Sequence, residues 1–133
     1  FQNFNLIEGL SVYENLLAPF ALTNFKANVR EEMIKKALSL ANISHKRDEN
    51  VSNLSGGERQ RCAVARALSM DADIILADEP TANLDRQNAR AFLGLLESFK
   101  ALKKSVIVAT HDSIFDELGV TDRALSLQNG EIV

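Results

Sequence analysis

Three polar clusters in the second half of the chain have types and spacing suited to phosphate and metal chemistry. The first is Leu54-Ser55-Gly56-Gly57-Glu58. Two glycines at a helix start let the backbone approach a ligand closely. The unpaired first-turn N–H groups and the helix dipole favour an anion there, and the Ser55 hydroxyl adds a donor. The same residues also spell an ordinary capping box, Ser55-x-x-Glu58, and on this segment alone capping is the stronger reading. The second cluster is Asp78-Glu79, directly after the apolar run Ile74-Ile75-Leu76-Ala77. A carboxylate at the carboxyl end of a buried parallel strand sits where α/β sheets bind ligands. Asp78 could hold Mg²⁺, directly or through water, because that ion takes few carboxylates and keeps its waters. Glu79 could orient or deprotonate a water. Acids also follow strands as plain caps or loop charges. The third is His111, after the apolar run ending in Thr110. A neutral imidazole there could donate to a phosphate oxygen or hold a water, although a lone His is more often structural.

Smaller signals accompany these. Asn83-Leu84-Asp85 reads as a turn followed by a helix cap. The Gln2 side-chain amide could touch both a metal and a water, or simply be exposed near the terminus. His45, in a polar stretch, reads as structural. Cys62 sits among Ala and Val on a helical pattern and reads as a small core hydrophobe, not a nucleophile.

The elements that must position these groups are legible as patterns. Ser11 with Glu14 forms a capping box opening a short helix that Pro19 ends or kinks. Met33, Ile34, Ala37, Leu38 and Ala41 repeat at helical spacing as a buried stripe, with Asn42 as the stop. Residues 44–50 show no periodicity and read as a solvated loop. Residues 58–70 read as a helix with Val64, Ala67 and Leu68 on one side. Residues 74–77 and 106–109 read as strands buried on both faces, as in a parallel sheet. Between them Asp85 caps a helix whose stripe is Phe92, Leu95, Leu96 and Phe99. Residues 124–127 suggest a last strand, and Asn129-Gly130 a hairpin turn. Strands alternating with helices predict an α/β architecture.

Composition narrows the function classes. The 133 residues are 46% apolar and 25% charged, which is globular. A net charge of −3 excludes a nucleic-acid binder held by excess positive charge, so no nucleic-acid partner is expected. One cysteine excludes a disulfide framework and a cysteine-rich zinc site, and fits a reducing compartment. There is no apolar run of the roughly 18 residues that a membrane span needs, and no signal-peptide pattern.

Order and spacing carry more than any single cluster. Leu54-Ser55-Gly56-Gly57-Glu58-Arg59-Gln60-Arg61, then Ile74-Ile75-Leu76-Ala77-Asp78-Glu79-Pro80-Thr81, then Asn83-Leu84-Asp85, then Thr110-His111-Asp112 resemble the ATP-binding cassette (ABC) ATPases. Phe1-Gln2-Asn3-Phe4-Asn5-Leu6 and Ser11-Val12-Tyr13-Glu14-Asn15 resemble the Q-loop region of that family, so the likeness covers essentially the whole chain. The wording of that opening is closest to the lipoprotein-release and macrolide-export branch.

The resemblance implies a set of roles. Ser55, Gly56 and Gly57 belong to the signature loop, facing the nucleotide of an opposite subunit. Asp78 ends the Walker B strand and serves Mg²⁺. Glu79 is the catalytic carboxylate, His111 the switch histidine, and Asp85 part of the dimer-crossing D-loop. Gln2 is the Q-loop glutamine, between the metal site and the membrane partner. It also implies ATP and Mg²⁺, a second nucleotide-binding subunit, and a transmembrane transporter subunit. The location implied is cytoplasmic, peripheral at the inner face of the cell membrane. The fold implied is a partial P-loop NTPase fold. Residues 1–53 would form the Q-loop and helical subdomain, and 54–133 the signature helix, Walker B, D-loop and switch-histidine part of the core.

One family element has no counterpart. None of the six glycines begins a Gly-x-x-x-x-Gly-Lys-Ser/Thr loop, so no amide nest or lysine is available for the β- and γ-phosphates. The expectation is a C-terminal portion of a nucleotide-binding domain, with open sheet edges and no activity alone. Two other readings stand beside a transporter ATPase: a non-catalytic piece acting through a partner, and part of a soluble cassette ATPase. The last is disfavoured by the lack of long coiled-coil insertions and of a basic excess.

Overall fold

The computed structural model describes residues 4–82, 84–117 and 119–133. The first layer is helical. Ser11 caps α1 (Val12–Leu17) through both arms of the expected capping box: Ser11 N–H donates to Glu14 at 2.7 Å, and Glu14 N–H to Ser11 Oγ at 3.2 Å. Pro19 follows in a 3₁₀ turn, Ala18–Leu22, where its fixed φ is tolerated and the α-helix stops. In α2 (Ala27–Leu40), Ile34, Ala37 and Leu38 are buried, as is Ala41 just beyond, while Met33 is partly buried. The helix ends before Asn42, which takes a positive φ of 51°.

Residues 44–50 are more ordered than their lack of periodicity implied. They contain a 3₁₀ turn, Ser44–Lys46, and Asn50 bridges back to Ser11. The cause is the start of α1. Its first N–H groups have no partner within the helix. Those of Val12 and Tyr13 are taken by the carbonyls of Glu49 and Arg47, at 2.9 and 2.8 Å.

Helix α3 (Gly56–Ser69) joins the two halves of the core. Cys62 and Ala65 are fully buried against α1 and α2. Val64 and Leu68, a turn apart, pack on the second cluster. Ala67, expected on the buried side with them, is exposed. Cys62 is a core side chain as expected, and burial pushes its thiol up to about 11.

The second layer is a parallel pair. β1 (Ile74–Asp78) runs beside β2 (Ser105–Ala109) with Ile74 opposite Ser105 and Asp78 opposite Ala109. Between them α4 (Arg86–Ala101) buries Ala89, Phe92, Leu93, Leu96 and Phe99, and Leu95 is only partly covered. Ile75, Val106 and Val108 meet that cluster, joined by Ile114 and Phe115 of α5 (Ile114–Glu117).

Both strands were expected to be buried on two faces, and they are not. Ile74, Leu76 and Ile107 are 61%, 73% and 60% exposed. Helices cover one side of the pair, and among the described residues nothing covers the other. β1 and β2 are also each other's only strand partners among the described residues, so the expected open edges are present. A hairpin ends the chain, β3 (Leu127–Gln128) against β4 (Glu131–Ile132), turning at Asn129 and Gly130 with φ of 51° and 85°. Two positive φ values are what the tight I′ turn requires. The strand starts at Leu127, three residues later than expected, and is correspondingly short. Among the described residues no helix is long and apolar enough to cross a membrane.

The two kinds of apolar position should respond differently to truncation. Ile34→Ala, at a fully buried site, should lower the unfolding free energy by about 2–5 kcal/mol. Leu76→Ala, on the uncovered face, should change it by about 0.5 kcal/mol or less. Urea titrations of the two variants check the contrast.

Candidate functional site

The register of β1 and β2 sets the geometry. Because Asp78 and Ala109 are opposite each other, the residues that follow, Glu79 on one side and Thr110 with His111 on the other, leave the ladder at the same end. Glu79 N–H continues the ladder by donating to Ala109 O at 2.8 Å. Its carboxylate is then held through both oxygens. His111 Nδ1 lies 2.6 Å from Oε1, and Thr110 Oγ1 donates to Oε2 at 3.1 Å. Glu79 adopts a positive φ of 43°, which a side-chain-bearing residue rarely takes.

A second tie lies behind the first. The buried Thr81 donates to Asp112 Oδ2 at 2.6 Å, and Asp112 Oδ1 accepts from Ile114 N–H at 3.0 Å. The turn after β1 and the loop after β2 are therefore joined twice by side chains, once through Glu79 and once through Thr81.

The electrostatics follow from these contacts. The hydrogen bond to His111, helped by that to Thr110, holds the Glu79 carboxyl below its ordinary value. The same bond and the carboxylate charge raise the His111 imidazole above its ordinary 6.5. Asp112 is held low by Thr81 and by the Ile114 amide. The His111 side chain is 87% exposed, so solvent screens the pair heavily.

Asp78 is exposed at the same strand end. Among the described residues no group of three His, Cys, Asp or Glu side chains could hold a metal alone.

The Ser55 turn is a second locus. Ser55 caps α3 with both arms of the capping box, its N–H donating to Glu58 Oε2 at 2.8 Å and its Oγ accepting from Glu58 N–H at 3.4 Å. No hydrogen bond among the described residues joins Ser55 to Glu79 or His111. Gly56 faces open space. Gly57 does not: an added Cβ would lie 2.5 Å from Asn88 Oδ1. Asn88 is in the first turn of α4, where Asp85 is the cap. Its N–H and Nδ2 donate to the two Asp85 oxygens at 2.8 and 2.9 Å, and the N–H bond leads in lowering that carboxyl. Glycine at 57 thus lets the starts of α3 and α4 touch.

The structure brings Asp78, Glu79 and His111 to one strand end, and brings Gly57 and Asp85 together through Asn88. Gln2 and Asn83 lie outside the described residues. Sequence reasoning missed Thr81, Asn88 and Gln60. Gln60 was detectable in principle, as a long polar side chain at helical spacing between Gly57 and Val64, both on the inner face of α3.

The Glu79–His111 pair predicts a pH window. His111 is raised, so its contribution is complete below 6.5 and fades as pH rises through the raised value. Glu79 is lowered, so its contribution is complete above 4.5 and fades as pH falls through the lowered value. The pair is therefore fully formed between those limits. An NMR titration should place the His111 midpoint above 6.5, and Glu79→Gln should return it toward 6.5.

The chain is similar to known proteins along its whole length. A sequence profile described as ABC transporter matches residues 1–82. The methionine import ATP-binding protein MetN 4 of Oceanobacillus iheyensis is 36% identical over 134 residues, covering 100% of this chain and 39% of that protein. The macrolide export ATP-binding/permease protein MacB of Chlorobaculum tepidum is 32% identical over 133 residues, covering 100% of this chain and 20% of that protein. The macrolide-export type suggested by the opening residues is thus among the relatives, beside methionine importers. A solved dimeric post-hydrolysis state of the ATP-binding cassette MJ0796, bound to ADP and Pi, superposes with a TM-score of 0.80 at 33% identity. That match covers 99% of this chain and 58% of the other. The chain spans less than half the length of the two curated relatives, and its strands and helices form part of the α/β fold of such a cassette. With more than half of its residues matched by the family profile, the chain belongs to the ABC transporter family.

Proposed function

We propose that the chain supplies the water-activating and dimer-crossing part of the ATP-hydrolysing subunit of an ABC transporter. The observation that carries this is the Glu79 carboxylate, fixed at a strand end by His111 and Thr110 beside the exposed Asp78. A carboxylate so held can accept a proton from an attacking water, the role of a general base. His111 orients that carboxylate through Nδ1 and can use its other ring nitrogen toward a phosphate oxygen. Asp78 would hold Mg²⁺, which when bound neutralises charge on the transferred phosphate.

Ser55, Gly56 and Gly57 would serve the γ-phosphate of a nucleotide carried by a second subunit, and Asp85 would cross that dimer seam. The Ser55 turn and the Glu79 end are separate loci here, which is compatible with service to two different nucleotides. Gln2 would link the metal site to a transmembrane partner docked on residues 1–53, with 54–133 as the catalytic part. The membrane-facing location follows from that partner: the cytoplasmic side, held peripherally. The permease named with MacB and the dimeric, ADP- and Pi-bound MJ0796 cassette support the reading.

A second reading is a non-catalytic piece that acts through a partner; these 133 residues hold no Gly-x-x-x-x-Gly-Lys-Ser/Thr loop. One comparison separates them. The 133-residue chain alone should hydrolyse ATP at background rate, because phosphoryl transfer depends on the missing cradle. The chain joined to a relative's segment bearing that loop should hydrolyse ATP, and Glu79→Gln in the joined protein should lower kcat about 10²–10⁴-fold. A joined protein that folds and binds ATP but never turns it over favours the second reading.

A further inference from the structure

Gln60 is buried in α3, only 6% exposed, and its Nε2 donates to the carbonyl of Pro80 at 2.6 Å. Pro80 directly follows Glu79. The turn it belongs to carries the positive φ of Glu79, a conformation that persists only where surroundings fix it. From its own layer that turn is held by two backbone bonds, Glu79 N–H to Ala109 O at 2.8 Å and Ala82 N–H to Glu79 O at 3.2 Å, beside the side-chain ties of Glu79 to His111 and Thr110 and of Thr81 to Asp112. The Gln60 bond comes from outside, from the helix whose first turn holds Ser55, Gly56 and Gly57. That first turn is itself pressed on α4 at Asn88.

We propose that Gln60 is a positioning residue for the Glu79 carboxylate, transmitting the placement of the Ser55–Gly57 turn to the turn at Glu79-Pro80. The inference rests on the functional reading above, in which these two turns serve different nucleotides. It adds a direct mechanical link between them within one chain. An α-helix is stiff over the six residues from Ser55 to Gln60. A shift of the signature turn therefore moves the Gln60 amide, and with it the carbonyl that helps hold Glu79 in its left-handed conformation. Pro80 has no N–H of its own to offer a substitute bond.

Gln60→Met keeps the length and loses the donor, and Gln60→Leu loses the donor in a branched apolar side chain. In the 133-residue chain, amide hydrogen exchange at Glu79 and Ala82 should quicken about tenfold in both variants, the scale of one lost hydrogen bond. Exchange at Cys62 and Ala65 within α3 should keep its original protection, which separates local release from general loosening. In the loop-joined protein, Gln60→Met should lower kcat about tenfold and leave the KM for ATP within about twofold. Unchanged exchange at Glu79 and Ala82 in both variants overturns the link. Faster exchange with unchanged kcat overturns the positioning role. A loop-joined parent with no ATP hydrolysis overturns the functional reading and the catalytic half of this inference, while exchange still decides whether Gln60 holds the turn.

Discussion

The parallel ladder between β1 and β2 is the constraint on which the site depends. Side chains alternate across a strand, so a slip of β1 by one residue would turn Ile75 away from α4 and present Ile74 and Leu76 in its place. The same slip would carry Glu79 one residue past Ala109, breaking its N–H bond and its reach to His111. Packing and chemistry therefore select one register together. The apolar face of α4 enforces a placement that the polar residues at the strand ends are too exposed to enforce alone.

Helix α3 imposes the second constraint, because it belongs to both cores at once. Cys62 and Ala65 close the helical layer, Val64 and Leu68 touch the sheet layer, and Gln60 reaches the turn after β1. A helix buried on more than one side has little freedom to rotate, since any turn that relieves one face exposes another. The small residues along it make this possible: Gly57, Cys62, Ala63, Ala65 and Ser69 let three elements approach closely. A larger residue at Gly57 would collide with the Asn88 side chain and force it from its place against Asp85.

Most of this was readable where a local rule acts alone. Both capping boxes, the α2 stripe, the Asp85 cap and the Asn129-Gly130 turn each involve residues within a few positions of one another, and all formed as expected. The reading went astray where a distant partner decides. The apolar runs at 74–77 and 106–109 predicted strands correctly, but periodicity cannot report whether a second layer lies above them. Residues 44–50 have no pattern of their own, and their order is lent by the unpaired N–H groups of α1. Asp78, Glu79 and His111 were identifiable by type and position after apolar runs. Thr81 was not, because its partner Asp112 is 31 residues away in the chain, and helical spacing could place Gln60 on the inner face of α3 but could not name the Pro80 carbonyl, 20 residues away, as its partner.

What the fold fixes at Glu79 is a position more than a charge. Coulomb attraction between an exposed imidazolium and a carboxylate is weak in water and weaker in salt, so His111 alone would hold Glu79 loosely. Bonds that hold the turn itself do the larger part. The ladder bond to Ala109, the Thr81–Asp112 tie and the Gln60–Pro80 bond set the turn before the side chain pairs with anything. Two of these supports, Thr81 and Gln60, are buried, and a hydrogen bond away from water loses no competition with solvent. The arrangement therefore keeps the Glu79 carboxylate partly open to solvent and its supports dry. If water were excluded from this strand end by a bound nucleotide or a second subunit, the same His111–Glu79 contact would strengthen without any atom having to move.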